Sequence, residues 1–185
     1  MEAHGFSRAK CAGRGEYGFS RCGNMLESKR TFFVTAVTWG RRSLFQSERM
    51  CELFVAVLFD YAKQGKYAIH EFVLMPNHFH LLITPGPLIA LERCLQLIKG
   101  GFSFRAKKEL QFAGEVWEKS FTNHRIRDAV DYAQHRKYIW ENPARVGLVS
   151  SPEEYRYSSA RPWFELTDAP QGLKPESVGA HDSQG

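Results

Sequence analysis

The chain has 185 residues, of which 43% are hydrophobic and 14% aromatic, and a formal net charge of +5. This length and composition suit one folded domain with a packed core. No segment approaches the roughly 20 apolar residues that a membrane-spanning helix needs, and residues 1–24 lack the apolar run of a secretory signal. The four cysteines contain no CxxC pair, which argues against a zinc finger or a disulfide framework. We therefore expect a cytoplasmic protein with no membrane association.

Charge and composition divide the chain into three parts. Residues 1–27 are rich in Gly, Ser and Arg and are predicted to form a flexible basic arm, whereas residues 28–163 form the predicted domain. Residues 164–185 are predicted to be a mobile acidic tail. Because residues 165–185 carry a net charge of −3, residues 1–164 carry +8. Such an excess favours a polyanionic partner such as nucleic acid, although proteins without that partner also carry it.

The first half of the domain alternates strand and helix signals. β-branched and aromatic residues at 31–38 predict a strand, and apolar residues three or four apart at 48–64 predict an amphipathic helix. Residues 67–74 predict a second strand, which turns at Met75-Pro76-Asn77 into a third strand. The order is therefore a strand, a helix and a β-hairpin.

The second half begins with apolar spacing from Leu88, which predicts a helix that the pair Gly100-Gly101 can interrupt. Residues 116–121 are the candidate fourth strand, and residues 128–142 a last helix that ends because Pro143 disfavours helical geometry before it. Two aromatic residues of the earlier helix are assigned to the core: Phe102 and Phe104. This order predicts an α+β fold, a ferredoxin-like antiparallel sheet with helices on one face plus an extra C-terminal helix.

Two histidines in the third strand are the first candidate site. His78 and His80 are one residue apart, so an extended strand projects both to one face while Phe79 and Leu81 point to a core. Such a pair is suited to holding one metal ion. The motif alone does not separate a metal site from two solvated histidines.

The last predicted helix offers a second candidate group. Tyr138 and Asn142 are four residues apart and share its polar face with Asp131 and His135, whereas Tyr132 lies nearer the apolar side. A tyrosine on the polar side of an amphipathic helix is not placed for burial. A simple surface tyrosine is equally consistent with this position.

Several motifs resemble the signature of one known family. They are Met75 to Leu82 (MPNHFHLL), Tyr138 to Val149 (YIWENPARVGLV), Pro152 to Tyr155 (PEEY) and Ser158-Ser159. From about residue 31 to residue 161 their order and spacing resemble those of the REP-associated tyrosine transposases, which are single-tyrosine HUH transposases of insertion-sequence type. HUH denotes a histidine, a hydrophobic residue and a histidine.

The resemblance implies a metal-dependent DNA transposase, or strand transferase. In that family the paired histidines and an amide four residues after the tyrosine bind a divalent ion, Mg²⁺ or Mn²⁺. The implied ligands are thus His78, His80 and Asn142, and Tyr138 is the implied nucleophile. Such a protein cleaves and rejoins single-stranded or hairpin DNA through a 5′-phosphotyrosine intermediate. The implied partner is a palindromic repeat, which associates the protein with the nucleoid, and the sequence is also compatible with a homodimer.

The sequence leaves other functions open. A non-catalytic module that binds hairpin DNA or RNA and derives from a transposase is the alternative, and a hydrolytic metallonuclease is a third. Many relatives have an arginine where this chain has Ser120, and Pro-Trp where it has Arg156-Tyr157, which puts the DNA sequence preference in doubt. Seven basic residues are candidate DNA phosphate contacts, with solvated surface charge as the other interpretation: Arg41, Arg42, Lys107, Lys108, Arg125, Arg127 and Arg145.

Overall fold

A computed structural model describes residues 30–170 of the chain. The predicted arm at residues 1–27 lies outside the described residues, as does the tail from residue 171 onward. Within residues 30–170, no helix is both long and apolar enough to cross a bilayer. The bounds of the strands and helices are β1 Phe32–Val37, α1 Glu48–Lys63, β2 Tyr67–Met75, β3 His78–Pro85, α2 Leu91–Leu110, β4 Thr122–Arg125 and α3 Ala129–Arg145.

The four strands form one antiparallel sheet in the order β2-β3-β1-β4. β2 and β3 form a hairpin, whereas α1 connects β1 to β2 and α2 connects β3 to β4. This arrangement is a ferredoxin-like sheet, and the predicted fold class is confirmed. The outer edge of β2 is covered by a later segment, because the Leu74 N–H donates to the Tyr157 carbonyl and the Ser159 N–H to the Phe72 carbonyl, both at 2.9 Å.

One face of the sheet packs against α1 and α2 and forms the larger apolar cluster. Phe79 of β3, Phe54 of α1 and Phe102 of α2 are all fully buried there. The Phe54 ring centroid lies 5.0 Å from that of Phe79 and 5.6 Å from that of Phe102. Because full burial of a large apolar side chain contributes about 1.5–3 kcal/mol, this layer is a major source of stability.

Helix α2 continues through Gly100 and Gly101 rather than being interrupted there. A Cβ atom at Gly101 would lie 2.8 Å from Cε2 of Tyr61 in α1, so glycine permits the close approach of the two helices. Phe102 is buried as predicted, but the prediction for Phe104 is wrong, since Phe104 is 67% exposed. Two residues along a helix correspond to about 200° of rotation, which turns Phe104 to solvent.

The fourth strand does not lie at residues 116–121, so that prediction is wrong. β4 follows this segment and pairs with β1, with Thr122 opposite Thr35. The segment itself makes only an isolated bridge at Trp117. Trp117 instead enters the core, where its ring centroid lies 5.4 Å from that of Phe79. The apolar residues that suggested a strand are therefore core residues of a connecting loop.

Helix α3 packs on the opposite face of the sheet. Ile139 and Tyr132 form a small apolar cluster with residues of β2 and β3, including Val73 and Leu82. The helix starts where the Asp128 side chain accepts a hydrogen bond of 2.8 Å from the N–H three residues later. The extra helix thus lies across the sheet from α1 and α2.

Helix α3 ends at Arg145, not at Asn142 as predicted. Pro143 lies in the last turn, where its missing N–H removes a single backbone hydrogen bond. The helix then closes because the Val146 N–H donates to the Asn142 carbonyl at 3.3 Å and the Leu148 N–H to the Pro143 carbonyl at 3.0 Å. Proline is therefore accommodated without breaking the helix.

The polar face of α3 lies against the sheet, and although Tyr138 is exposed as expected, other polar residues of this face are buried. Asp131 is 4% exposed on its side chain and Asn142 is 7% exposed overall. The sheet opposite them presents polar side chains of its own, such as Thr35 and His80, which provide hydrogen-bonding partners. Periodicity alone does not reveal that the covered surface is polar.

Candidate active site

The predicted histidine pair lies on the face of β3 that α3 covers. Strand alternation places His78 and His80 on that face, while Phe79 between them enters the main core. The two imidazole centroids are 4.8 Å apart. His80 is 4% exposed, and His78 is half-buried. The structure therefore brings both rings to one site.

Each of these histidines has one ring nitrogen held by a neighbouring side chain. Asn77 Oδ1 lies 2.7 Å from His78 Nδ1, and because an amide oxygen only accepts, Nδ1 is the donor. Thr35 Oγ1 lies 2.7 Å from His80 Nδ1, and Asn142 Nδ2 donates to His80 Nε2 at 3.4 Å. Both imidazoles then present an unprotonated Nε2, the form in which histidine binds metal ions.

The surroundings of both imidazoles keep them neutral. Burial, followed by the repulsion that a protonated His78 would exert, lowers the pKa of His80 to about 3. Burial, followed by the charge of Arg41, also lowers the pKa of His78. A metal ion therefore does not compete with a proton for these nitrogens at neutral pH.

Tyr138 and Asn142 lie one turn apart on the α3 face above the histidines. The Tyr138 ring centroid is 5.2 Å from that of His80, and the two planes are inclined by 72°. Tyr138 is 38% exposed, whereas Asn142 is 7% exposed. The tyrosine therefore lies at the mouth of the site, and the amide lies at its floor.

Phe33 of β1 contacts both halves of this site. Its ring stacks on His80 with centroids 5.3 Å apart and an interplanar angle of 20°. The same ring meets Tyr138 edge-on, with the centroids 5.9 Å apart. Phe33 thus keeps β1, β3 and α3 in contact at the site.

Three residues of the site were not predicted from the sequence: Thr35, Asn77 and Phe33. Asn77 is adjacent to His78, and the sequence interpretation treated it only as a turn residue. Thr35 pairs directly with His80 across β1 and β3, a register that no sequence pattern specified. The alternation of β1 offered a signal, since Phe33 and Thr35 occupy the same face of one strand.

Two of the predicted DNA contacts lie near the site. The charge of Arg41 acts on His78, and Arg41 also lines a cavity of about 270 Å³ together with Thr35. The Arg145 guanidinium lies over the Tyr138 ring, 5.7 Å from its centroid. These two cations therefore lie beside the site formed by His78, His80 and Tyr138.

The other five candidates have partners or positions on other parts of the described structure. Arg42 donates to the Trp39 carbonyl at 3.2 Å, and Arg125 pairs with Phe32 of β1, whose side chain packs on the core of α1 and α2. Arg127 donates from Nε to Asp131 Oδ2 at 3.1 Å. Two remain exposed on α2, which covers the sheet face opposite the histidines: Lys107 and Lys108.

Residues 28–142 match the model of a family described as "Transposase IS200 like", a stretch of more than half the chain that includes His78, His80, Tyr138 and Asn142. The chain belongs to the IS200-like transposase family. This membership confirms that the resemblance derived from the His78–His80 and Tyr138–Asn142 motifs is a family relationship.

The curated relatives of this IS200-like transposase include a REP-associated tyrosine transposase of Escherichia coli K12, 26% identical over 153 residues, which are 78% of this chain and 82% of that protein. A Haemophilus influenzae protein that carries the same name provisionally is 28% identical over 96 residues, 46% of this chain. The chain spans only about half of that relative's length, 54%.

Among solved structures, this transposase is similar to a REP-associated tyrosine transposase bound to a REP hairpin. The TM-score is 0.63 at 23% sequence identity, and the match covers 81% of this chain and 94% of that one. At this level of identity the likeness supports the fold.

Proposed function

We propose that this IS200-like transposase cleaves and rejoins single-stranded or hairpin DNA, with Tyr138 as the nucleophile. The observation that carries the proposal is the position of Tyr138, whose ring lies 5.2 Å from that of His80 on the helix face that also bears Asn142. Tyr138 is 38% exposed, so a DNA strand can reach its hydroxyl from solvent. Membership of a transposase family supports the same reaction class.

The proposed step is a transesterification at one phosphodiester. The Tyr138 hydroxyl loses its proton, and its oxygen bonds to phosphorus while the bond from phosphorus to the 3′ oxygen breaks. The leaving 3′ oxygen takes up a proton. The products are therefore a 5′-phosphotyrosine and a free 3′-hydroxyl. Attack by a 3′-hydroxyl reverses the step and releases Tyr138, so strands are rejoined without an external energy source.

The residues around Tyr138 fit a divalent metal ion. His78 and His80 each present an unprotonated Nε2, and the Asn142 amide is within 3.4 Å of the second of these nitrogens. Rotation of the terminal amide exchanges its nitrogen and oxygen, so an oxygen ligand is available at the same position. When bound there, an ion such as Mg²⁺ or Mn²⁺ would polarise a phosphate oxygen and stabilise the negative charge that develops at phosphorus.

The proposed partner is a DNA hairpin formed by a palindromic repeat. One similar solved structure is a REP-associated tyrosine transposase bound to a REP hairpin. In this chain Arg41 and Arg145 lie beside the site and would neutralise phosphates that flank the scissile bond. Lys107 and Lys108 lie on the other side of the sheet, so we expect them to contribute less.

We propose that the site forms within one chain, since Tyr138 contacts His80 of its own chain. The homodimer, the domain boundaries at residues 28 and 163, and the cytoplasmic location with association to the nucleoid stay predictions.

The proposal is tested with a labelled single strand that contains a hairpin, incubated with the full chain and Mn²⁺ and run on a denaturing gel. We expect a covalent protein–DNA adduct that Tyr138→Phe abolishes. Tyr132→Phe is the matched control, because it removes a hydroxyl from the same helix but from a buried side chain away from the site. The control should form the adduct at the wild-type rate.

Two results would contradict the proposal. Hairpin binding without an adduct under any divalent ion would favour the non-catalytic binding module. Cleavage that persists in Tyr138→Phe would favour a metal-dependent nuclease that uses water.

A further inference from the structure

A second group of side chains of the types that bind metal ions lies on the same face of the sheet, one helix turn before Tyr138. It consists of His124 on β4 and of Asp131 and His135, one turn apart on α3. One potential ligand atom from each residue lies within 4.8 Å of the others. The two imidazoles are stacked, with centroids 4.8 Å apart and planes inclined by 16°. We call these three residues the β4–α3 triad.

Phe33 separates the triad from the candidate active site. Its ring stacks on His80, with the centroids 5.3 Å apart, and also contacts His135, with the centroids 4.7 Å apart. The two groups of histidines are therefore neighbours that share no ligand. The triad is not needed for the function proposed above.

The two oxygens of Asp131 have different partners. Oδ2 accepts hydrogen bonds of 3.1 Å from both the backbone N–H and the Nε of Arg127, and lies 2.9 Å from His124 Nε2. Oδ1 faces only the imidazoles, 3.1 Å from His124 Nε2 and 3.0 Å from His135 Nδ1. Oδ1 is therefore the oxygen that points between the two rings.

Asp131 is held as an anion. Burial alone favours its neutral form, but hydrogen bonds from His124 and Arg127 outweigh burial and lower its pKa to about 2. Its side chain is 4% exposed, whereas those of His124 and His135 are 42% and 22% exposed. An ion at the two ring nitrogens thus meets a fixed negative charge on the side of Asp131 and has access to solvent on the side of His124.

We propose that His124 Nε2, His135 Nδ1 and Asp131 Oδ1 bind a Zn²⁺ ion. Two imidazoles and one carboxylate are a common zinc donor set that leaves a fourth position for water. The ion would replace the protons that now lie between each imidazole nitrogen and the carboxylate. His135 Nδ1 would also give up its 2.8 Å hydrogen bond to the Asp131 backbone carbonyl. The ion would also link β4 to α3 one turn before Tyr138.

The positive charge of Arg127 repels a cation at this site, so replacing Arg127 tests the proposal. Its guanidinium is the positive charge that already contacts the Asp131 carboxylate, and its side chain is 73% exposed. Replacing it with a neutral residue removes a competing cation without removing a ligand. Arg127→Gln should tighten Zn²⁺ binding, an effect that partial unfolding cannot imitate.

The experiment measures Zn²⁺ binding to the full chain, without a histidine tag, by equilibrium dialysis and metal analysis. The background is His78→Ala with His80→Ala, which removes the other histidine site. We expect this variant to retain one Zn²⁺ per chain. Loss of a group that only hydrogen-bonds to a metal ligand weakens metal binding by about 10–100-fold. Because His135 is itself a proposed ligand, adding His135→Gln should weaken Zn²⁺ binding by more than that. Adding Arg127→Gln should tighten Zn²⁺ binding severalfold.

Three results would overturn the proposal: a background variant that binds no Zn²⁺, binding unaffected by His135→Gln, or binding unchanged or weakened by Arg127→Gln. Circular dichroism checks that each variant is folded. If His135→Gln does not fold, His124→Gln takes its place, since His124 lies at the exposed edge strand and its side chain is 42% exposed.

Discussion

The two faces of the central sheet differ in what their residues do. On the face that α1 and α2 cover, Phe54, Phe79 and Phe102 pack ring against ring with no exposed surface. On the face that α3 covers, the buried residues include His80 and Asn142, which are hydrogen-bonded to each other. Strand alternation thus places the main aromatic core on one face of the sheet and the candidate active site on the other.

The polar face remains compatible with folding because its buried groups are paired. Glu71 Oε2 accepts hydrogen bonds from Trp140 Nε1 at 2.8 Å and from Ser159 Oγ at 2.6 Å, which attaches α3 and the C-terminal segment to β2. Within residues 30–170, the Tyr157 hydroxyl is the one buried side-chain polar atom without a hydrogen-bonding partner. Unpaired groups of this kind cost about 1–3 kcal/mol each, so pairing is required for a polar interface.

The largest effect we expect comes from breaking the apolar face. Phe79→Ala should lower the free energy of unfolding by about 3–5 kcal/mol, because it opens a cavity among the rings of Phe54 and Trp117. Urea denaturation followed by fluorescence measures this loss. A loss below about 1 kcal/mol would mean that the face covered by α1 and α2 is not the main source of stability.

The adjacent residue, on the other face, tests the opposite half of the comparison. His80→Gln should reduce the rate of formation of the Tyr138 adduct by at least about 100-fold, equivalent to about 2.7 kcal/mol, with a smaller loss of stability than Phe79→Ala. The physical reason is that the lost group is a proposed metal ligand rather than a large apolar side chain. The gel assay and urea denaturation are run on the same preparations, and an unchanged rate of adduct formation would contradict the assignment.

A third prediction concerns the anion buried under α3. Asp131→Asn should lower the free energy of unfolding at pH 7 by about 2 kcal/mol, because it weakens charge-assisted hydrogen bonds from His124 and Arg127. The pKa of Asp131 lies at about 2 when folded against an ordinary 3.8, so its contribution is full above about pH 4 and is lost as pH falls towards 2.

The measurement is urea denaturation of Asp131→Asn and the original chain between pH 7 and pH 3, with EDTA present to exclude metal binding. The difference between the two proteins should shrink below pH 4. A difference that grows on acidification would show that the carboxylate is not the stabilising form.

The smallest expected effects concern DNA binding on the two sides of the sheet. Arg145→Ala should weaken hairpin binding severalfold and reduce the slope of log K against log salt by roughly 0.7–0.9, the value for one lost phosphate contact. Lys107→Ala is the matched control, since Lys107 lies on α2 behind the opposite face. Equal effects of both variants, measured by fluorescence anisotropy over a range of KCl concentrations, would argue against a DNA path beside Tyr138.

Local patterns were sufficient to predict most of the fold. The alternation in β3, the three-four spacing of α1 and the turn at Pro76 each depend on neighbours within a few residues, which is why these elements appear where the sequence predicts them. The same reasoning failed at residues 116–121, where Trp117 looks like a strand residue but is a core residue of a loop.

The sequence by itself identified the candidate residues His78, His80, Tyr138 and Asn142, because short spacings place each pair on one face of its own element and the surrounding motifs resemble those of a known family. Only the tertiary structure decided that the polar face of α3 turns towards the sheet. This packing places the ring centroid of Tyr138 5.2 Å from that of His80. The supporting contacts of Thr35 with His80 and of Phe33 with both helix and strand also depend on strand register. Register and helix docking are set by packing between distant segments, which a local pattern does not contain.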